Sequence, residues 1–272
     1  MAFRSACYHR NFDRMNLSHA IILFVAALLA GAINAVAGGG SFVTFPTLMF
    51  IGVPAKFANA TNTVALWPGQ VASIGAYRQQ FRKLSLKMLA PLLVTCVIGG
   101  IGGAWVLLKT PTTIFVWLVP WLILSATIIF MMSGRVTKWV RRRTASGEHH
   151  EFATGRGVLF QLVIAFYIGY FGAGAGILIL AMLALLGMDD IHSMNALKAL
   201  LTTISNGVAL VMFIFSHAVY WPEAILMIVA SMLGGYFGAH FAQKTKPEQV
   251  RMMVIVIGFA LTAYYFGKQL LH

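Results

Sequence analysis

Two glycine-rich segments carry the residues best suited to chemistry in this chain. The first holds Gly31, Asn34, Gly38, Gly39, Gly40, Ser41, Thr44 and Pro46; the second runs from Gly169 through Gly172, Gly174 and Gly176. Each glycine costs about 1 kcal/mol relative to alanine inside a helix, so such clusters break helices. Peptide N–H groups freed at the start of the next helix carry roughly half a positive charge, and a backbone without Cβ lets an anion approach them. Ser41 and Thr44 could add hydroxyl donors. Each segment leads through a short apolar run to a turn, Gly52-Val53-Pro54 or Gly187-Met188-Asp189-Asp190. A polar motif follows each turn: Ala58-Asn59-Ala60-Thr61-Asn62 in the first case and Met194-Asn195-Ala196-Leu197-Lys198 in the second. Aligned on their Asn-Ala pairs, the motifs set Asn62 opposite Lys198. An ionisable residue opening a long uncharged stretch is a functional candidate, and Lys198 could supply the fixed charge an anion needs. Snorkelling to the headgroups is the alternative role for it. The candidate anion-binding set is therefore Asn34, Gly38, Gly39, Gly40, Ser41, Thr61, Asn62, Gly172, Gly174, Gly176, Asn195 and Lys198. Close helix packing is the alternative role for the glycines. Gln70, Ser205 and Asn206, with Asn34, read either as donors or as interhelical glue.

The elements that must hold these residues are hydrophobic almost throughout. The chain has 272 residues, 59% hydrophobic and only 10% charged, with a mean hydropathy of +0.81. Soluble domains carry about 25% charged residues. Eight stretches contain no Lys, Arg, Asp or Glu: 17–55, 57–77, 88–108, 110–134, 157–187, 199–222, 224–243 and 252–267. A helix needs about 20 apolar residues to cross a bilayer. The fold class is all-α, a polytopic membrane protein with glycine-broken helices. A β-barrel would alternate polar and apolar residues, whereas Ala20–Ala30 and Ile177–Leu186 are apolar on every face. The net charge of +13 does not signal nucleic-acid binding, because the basic residues cluster in short loops where they set topology and meet anionic headgroups. Cys7 and Cys96 offer neither a disulfide framework nor a metal spacing. Residues 1–16 read as a polar tail rather than a cleaved signal, since the apolar run continues past Ala35-Val36-Ala37 to Ala55.

An internal duplication organises the rest. At an offset of 135, Gly99, Gly100, Gly103 and Ala104 return as Gly234, Gly235, Gly238 and Ala239, and Lys109-Thr110 returns as Lys244-Thr245. Gly39 meets Gly174 at the same offset, and the charge-free stretches pair four against four. The expected layout is two homologous halves of about four membrane segments each, 17–134 and 157–270, joined by a basic cytoplasmic linker at 135–156. The basic loop at 78–87 should share the cytoplasmic face. Loop 216–223 lacks Lys and Arg whereas 244–251 has Lys244, Lys246 and Arg251, which would invert the second half. An N-terminus held inside by Arg4, Arg10 and Arg14 would instead make the halves parallel. Both arrangements occur in transporters.

On these motifs the chain resembles the sulfite exporter TauE/SafE family of membrane transporters. The matching features are Gly38-Gly39-Gly40 with Pro46, Gly52-x-Pro54, Ala58-x-x-Thr61-Asn62, Asn195-Ala196-Leu197-Lys198 and the duplicated Gly-Gly-x-x-Gly-Ala, spread over about residues 18–268. The second half departs from the pattern, with Gly-Ala-Gly-Ala-Gly in place of a fuller glycine run and no proline at Ala181. The resemblance implies secondary transport, by export, of sulfite, sulfonates or related sulfur-containing anions in a multi-pass protein of the bacterial inner membrane. The expected partners are a small anionic substrate and the lipid bilayer, with no nucleic acid and no cofactor; a coupling proton or ion and a homo-oligomer are compatible with the sequence, which does not specify either. A non-transporting membrane scaffold is the competing class, and duplicated broken helices would be an odd requirement for it. An enzyme would need a nucleophilic or charged constellation at depth, and no HExxH or P-loop motif occurs in the sequence.

Overall fold

The computed structural model describes residues 16–36, 39–75, 77, 86–146, 154–186, 188, 190–242 and 247–270. Among these, ten helices form: α1 (Leu17–Val36), α2 (Ser41–Phe50), α3 (Ala55–Gly75), α4 (Leu86–Lys109), α5 (Thr112–Ser146), α6 (Thr154–Tyr170), α7 (Ala175–Leu185), α8 (Ile191–Phe215), α9 (Trp221–Ala242) and α10 (Pro247–Leu270). Five of them are long and apolar enough to cross a membrane, over Leu17–Asn34, Leu89–Lys109, Thr112–Val136, His192–Phe215 and Gln249–Leu270. The large apolar side chains left outside the bundle, such as Met252, Val256 and Phe259 along α10, face the lipid.

Contacts at the helix ends fix the directions. The face where α4 begins and where Arg135, Lys138 and Arg142 of α5 lie is the basic face; the other is the far face. Gln269 near the end of α10 donates through Nε2 to Val116 O and Trp117 O, both 3.1 Å away, at the start of α5. At the opposite end, a Cβ on Gly134 of α5 would lie 2.8 Å from the Arg251 guanidinium at the start of α10. These two helices are antiparallel. By contrast, α4 and α6 run parallel: Gln161 meets Cys96, and two turns on Gly103 sits against the backbone of Phe166 and Tyr170. Helix α3 starts on the far face, where Lys56 Nζ donates to Leu108 O and Thr110 O at 3.2 Å and so caps the end of α4. The far face also holds Tyr220, whose ring packs on Phe57 at 5.9 Å just before α9 begins.

Both glycine segments interrupt a helix and turn it back. Gly39 packs against Phe130 and Val254, on the basic side of the middle of the α5 and α10 spans, and Met49 at the other end of α2 accepts from Tyr265 OH at 3.6 Å. With 10 residues, α2 is about 15 Å long and returns towards the far face without crossing completely. The second hairpin mirrors this: the end of α7 at Leu186 returns to Gly157 at the start of α6 on the basic face. Asp190 then starts α8, its carboxylate accepting from His192 N at 3.1 Å and Ser193 N at 3.2 Å. Hairpins α1–α2 and α6–α7 thus enter the bundle from opposite faces.

The buried apolar residues form two clusters. One gathers Phe42, Phe45, Phe115, Phe130 and Phe213 around α2, α3 and α5. The other packs Leu92, Ile168, Ile179, Leu197 and Leu201 between α4, α6, α7 and α8. Glycine lets the crossing helices touch: α6 lies on α4 at Gly99 and Gly103, and α1 lies on α9 at Gly234. The charged linker residues 147–153, the N-terminal arginines and Lys244-Thr245 lie outside the described residues.

Candidate functional site

The first break is built by Gly39 and closed by Asn34. Gly39 has φ +93°, a conformation that a Cβ disfavours. The next peptide then points back so that Gly40 N donates to Asn34 Oδ1 at 2.7 Å. A Cβ on Gly40 would meet Ala30 O at 2.5 Å, so the chain can reverse only with glycine there. Phe42 N and Val43 N are taken up by Gly39 O and Gly40 O at 3.0 Å, which leaves Ser41 at the mouth of α2. Thr44, fully buried, donates to Gly40 O at 3.2 Å and to Asn62 Oδ1 in α3. Gly38 lies outside the described residues.

The second break uses two left-handed glycines, Gly172 with φ +75° and Gly174 with φ +76°, the latter capping α7. Tyr167 OH donates to Ala173 O at 2.7 Å and holds the intervening loop. Gly176 lies against the Lys198 stem, since a Cβ there would stand 3.3 Å from Lys198 Cδ. The Lys198 ammonium donates to Asn195 Oδ1 at 2.9 Å, one turn earlier on α8. Lys198 is thus turned inward against α7 rather than stretched along a lipid-facing surface.

The two breaks approach each other at mid-depth. Phe45 of α2 stacks edge-on against Phe171 at 5.5 Å, and Asn59 Nδ2 donates to Tyr170 O at 3.0 Å across the same gap. Between them is a cavity of about 10 Å³, lined by Ser41, Asn59 and Asn62 on its polar side and by Phe42, Phe45, Pro46, Ile123, Phe171, Ala173 and Leu261 elsewhere. That is room for about one water molecule. Ile123 and Leu261 sit near the middle of the apolar spans Thr112–Val136 and Gln249–Leu270, so the cavity is far from both faces.

Of the residues expected from sequence, Ser41 and Asn62 line this cavity, with Gly39, Gly40 and Asn34 forming the turn behind it. Gly176, Asn195 and Lys198 form a second group around α7 and α8, and none of the three lines the cavity. Thr61 turns elsewhere: its hydroxyl accepts from Tyr220 N at 3.0 Å and fastens the start of α9 to α3. Phe45, Phe171, Ile123 and Leu261 were not foreseen, because nothing distinguishes them from other apolar residues in charge-free stretches.

The sulfite exporter TauE/SafE family profile matches residues 23–265, from α1 to α10 and across both breaks. The chain belongs to this family. Similar proteins include a probable membrane transporter of Haemophilus influenzae, 28% identical over 243 residues that cover 89% of this chain and 92% of the relative. The probable membrane transporter YfcA of Escherichia coli is 27% identical over 257 residues, 92% of each chain. A more distant relative is the probable membrane transporter YunE of Bacillus subtilis, 24% identical over 264 residues, 89% of this chain and 96% of its own. No solved structure matches. The TauE/SafE member described here is a multi-pass membrane transporter of the bacterial inner membrane, with a small-molecule substrate and the bilayer as partners.

Proposed function

We propose that this transporter exports small sulfur-containing oxyanions such as sulfite or sulfonates, binding them where the two glycine breaks meet. The observation that carries this reading is the pairing of the breaks around one mid-depth cavity, with Ser41 and Asn62 on its wall. A small oxyanion needs several hydrogen-bond donors within a shell a few ångströms across. The Ser41 hydroxyl, the Asn62 NH2 and the second N–H of the Asn59 amide are donors of that kind, and the dipole at the start of α2 adds positive potential. Lys198, beside Gly176 and off the cavity wall, adds a positive charge along the anion's route on α8. The cavity as it stands is too small for such an anion, and it corresponds to a closed state that must widen to load. The family name supports the sulfur-oxyanion class.

The halves 17–134 and 157–270 are read as inverted repeats. Support comes from the antiparallel α5 and α10 and from hairpins α1–α2 and α6–α7 entering from opposite faces. Such repeats suit alternating access by rocking one set of helices against another around a fixed site. A coupling proton or ion and a homo-oligomeric assembly complete the proposal. Flux into proteoliposomes tests it, with sulfite, a sulfonate and a carboxylate of similar size offered under an imposed proton gradient. Saturable movement of sulfite or the sulfonate in preference to the carboxylate is expected. Equal movement of all three at the rate of protein-free liposomes would overturn it.

A further inference from the structure

We infer that the polar faces of α3 and α8 form two half-pathways, one leading from each side of the membrane and separated by the Gln70–Asn206 hydrogen bond. The inference rests on the transporter reading and goes beyond it by naming the barrier.

The polar residues of the two helices correspond at an offset of 136: Asn59 with Asn195, Asn62 with Lys198, and Gln70 with Asn206. Spacings of three and eight residues, eleven in all or about three turns, keep each set along one helix face. Helix α3 enters from the far face, and its first polar residues, Asn59 and Asn62, line the cavity. Helix α8 enters from the basic face, where Lys198 lies against Gly176. Deeper on α8, the buried hydroxyl oxygen of Thr202 has no hydrogen-bond partner, and the Ser205 hydroxyl one turn on faces only the Cys96 thiol. Polar groups left unpaired at such depth are rare in a packed interior and suit a path that fills with water in another state.

The two lines meet at their inner ends. Asn206 Nδ2 donates to Gln70 Oε1 at 3.0 Å, and next to it Trp67 Nε1 donates to Thr203 O at 2.9 Å. Both bonds join positions 136 apart. Contact between equivalent positions arises where a two-fold relation passes through an interface, so this crossing is where the half-pathways adjoin. Asn206 Oδ1 also faces Gly172, since a Cβ on that glycine would lie 3.7 Å from it, which couples the crossing to the second break. An amide pair suits a barrier of this kind. Each amide can exchange its partner for water, which both donates and accepts, and can turn its NH2 towards a passing oxyanion.

The test is labelling by a membrane-impermeant maleimide in right-side-out and inverted vesicles, using full-length protein with Cys7→Ser. Cys96 is fully buried and is retained. Asn62→Cys should react from the far side only, and Thr202→Cys, with Ser205→Cys as a second reporter, from the basic side only. Gln70→Cys combined with Asn206→Cys should be joined by a short bis-thiosulfonate linker. Joining should lower sulfite flux at least tenfold, and reductant should restore it. Labelling of both reporters from one side would overturn the inference, as would silence of both, failure of the pair to join, or undiminished flux in the joined protein. If the labelling is two-sided as expected but the unjoined protein moves no anion, the half-pathways stand and the transport reading fails.

Discussion

Replacing Gly39 and Gly103 by alanine separates a glycine that shapes a site from one that lets helices touch. At Gly39 the backbone has φ +93°, and the new methyl would stand 3.2 Å from a Val254 methyl and 3.3 Å from the tip of the Phe130 ring. Those are side-chain ends that can give by a few tenths of an ångström. The cost is then mainly the left-handed backbone, about 1–2 kcal/mol. If the break relaxes to avoid that strain, the Gly40 amide and Ser41 move, and the same 1–2 kcal/mol appears as anion affinity weakened roughly 5- to 30-fold. At Gly103 the methyl would overlap Phe166 O and lie 2.7 Å from Tyr170 N, which is backbone in a packed partner helix. Helices α4 and α6 must then separate along their whole seam, a loss of about 1–3 kcal/mol or more in stability. The assay is sulfite affinity and thermal unfolding in the same detergent for both variants. Gly39→Ala should lose affinity with a modest fall in melting temperature. Gly103→Ala should melt much earlier while its surviving fraction binds normally. Equal loss of stability with affinity intact in both would show that the break is a packing device and refute the reasoning.

Lys198→Met should abolish anion transport in protein that still inserts, whereas Lys198→Arg should keep part of it, because charge survives while the shape changes from a point to a planar fork; flux in proteoliposomes decides. Thr61→Val removes the acceptor for Tyr220 N and should cost about 1 kcal/mol of stability through the lost hydrogen bond, with sulfite affinity unchanged in a binding titration. Asp190→Ala should destabilise the start of α8 by about 1 kcal/mol, read by urea or thermal unfolding. The Ser193 hydroxyl bond, followed by the His192 and Ser193 amides, holds the Asp190 carboxyl below its usual range. Its folded value being depressed, its contribution is present above the ordinary carboxylate range and fades as pH falls through the lowered value, so the stability difference from Asp190→Ala should shrink in acid.

The broken helices were legible because glycine clusters in a charge-free stretch have few other outcomes, and both segments do turn the chain back. Ser41 and Asn62 could be found for the same reason: they follow the break and the turn at short range. Long-range relations could not be read this way. Nothing local indicates that Thr61 holds Tyr220, that Phe171 closes on Phe45, or that Lys198 packs on Gly176 away from the cavity wall. Helix direction was half legible. Loop charges at 244–251 favoured inversion and the N-terminal arginines opposed it, and only contacts such as Gln269 with Val116 O reveal that α5 and α10 are antiparallel. Gln70 and Asn206 looked like generic interhelical glue because a single amide carries no information about its partner.

The most direct test of the central claim is to locate a bound oxyanion by anomalous diffraction, using selenite as a heavier analogue of sulfite. A selenium peak is expected between Ser41 and Ala173, within hydrogen-bond reach of Asn62, with α2 and α7 moved apart to admit it. A peak confined to the basic loops or the protein surface, with the breaks unchanged, would contradict it.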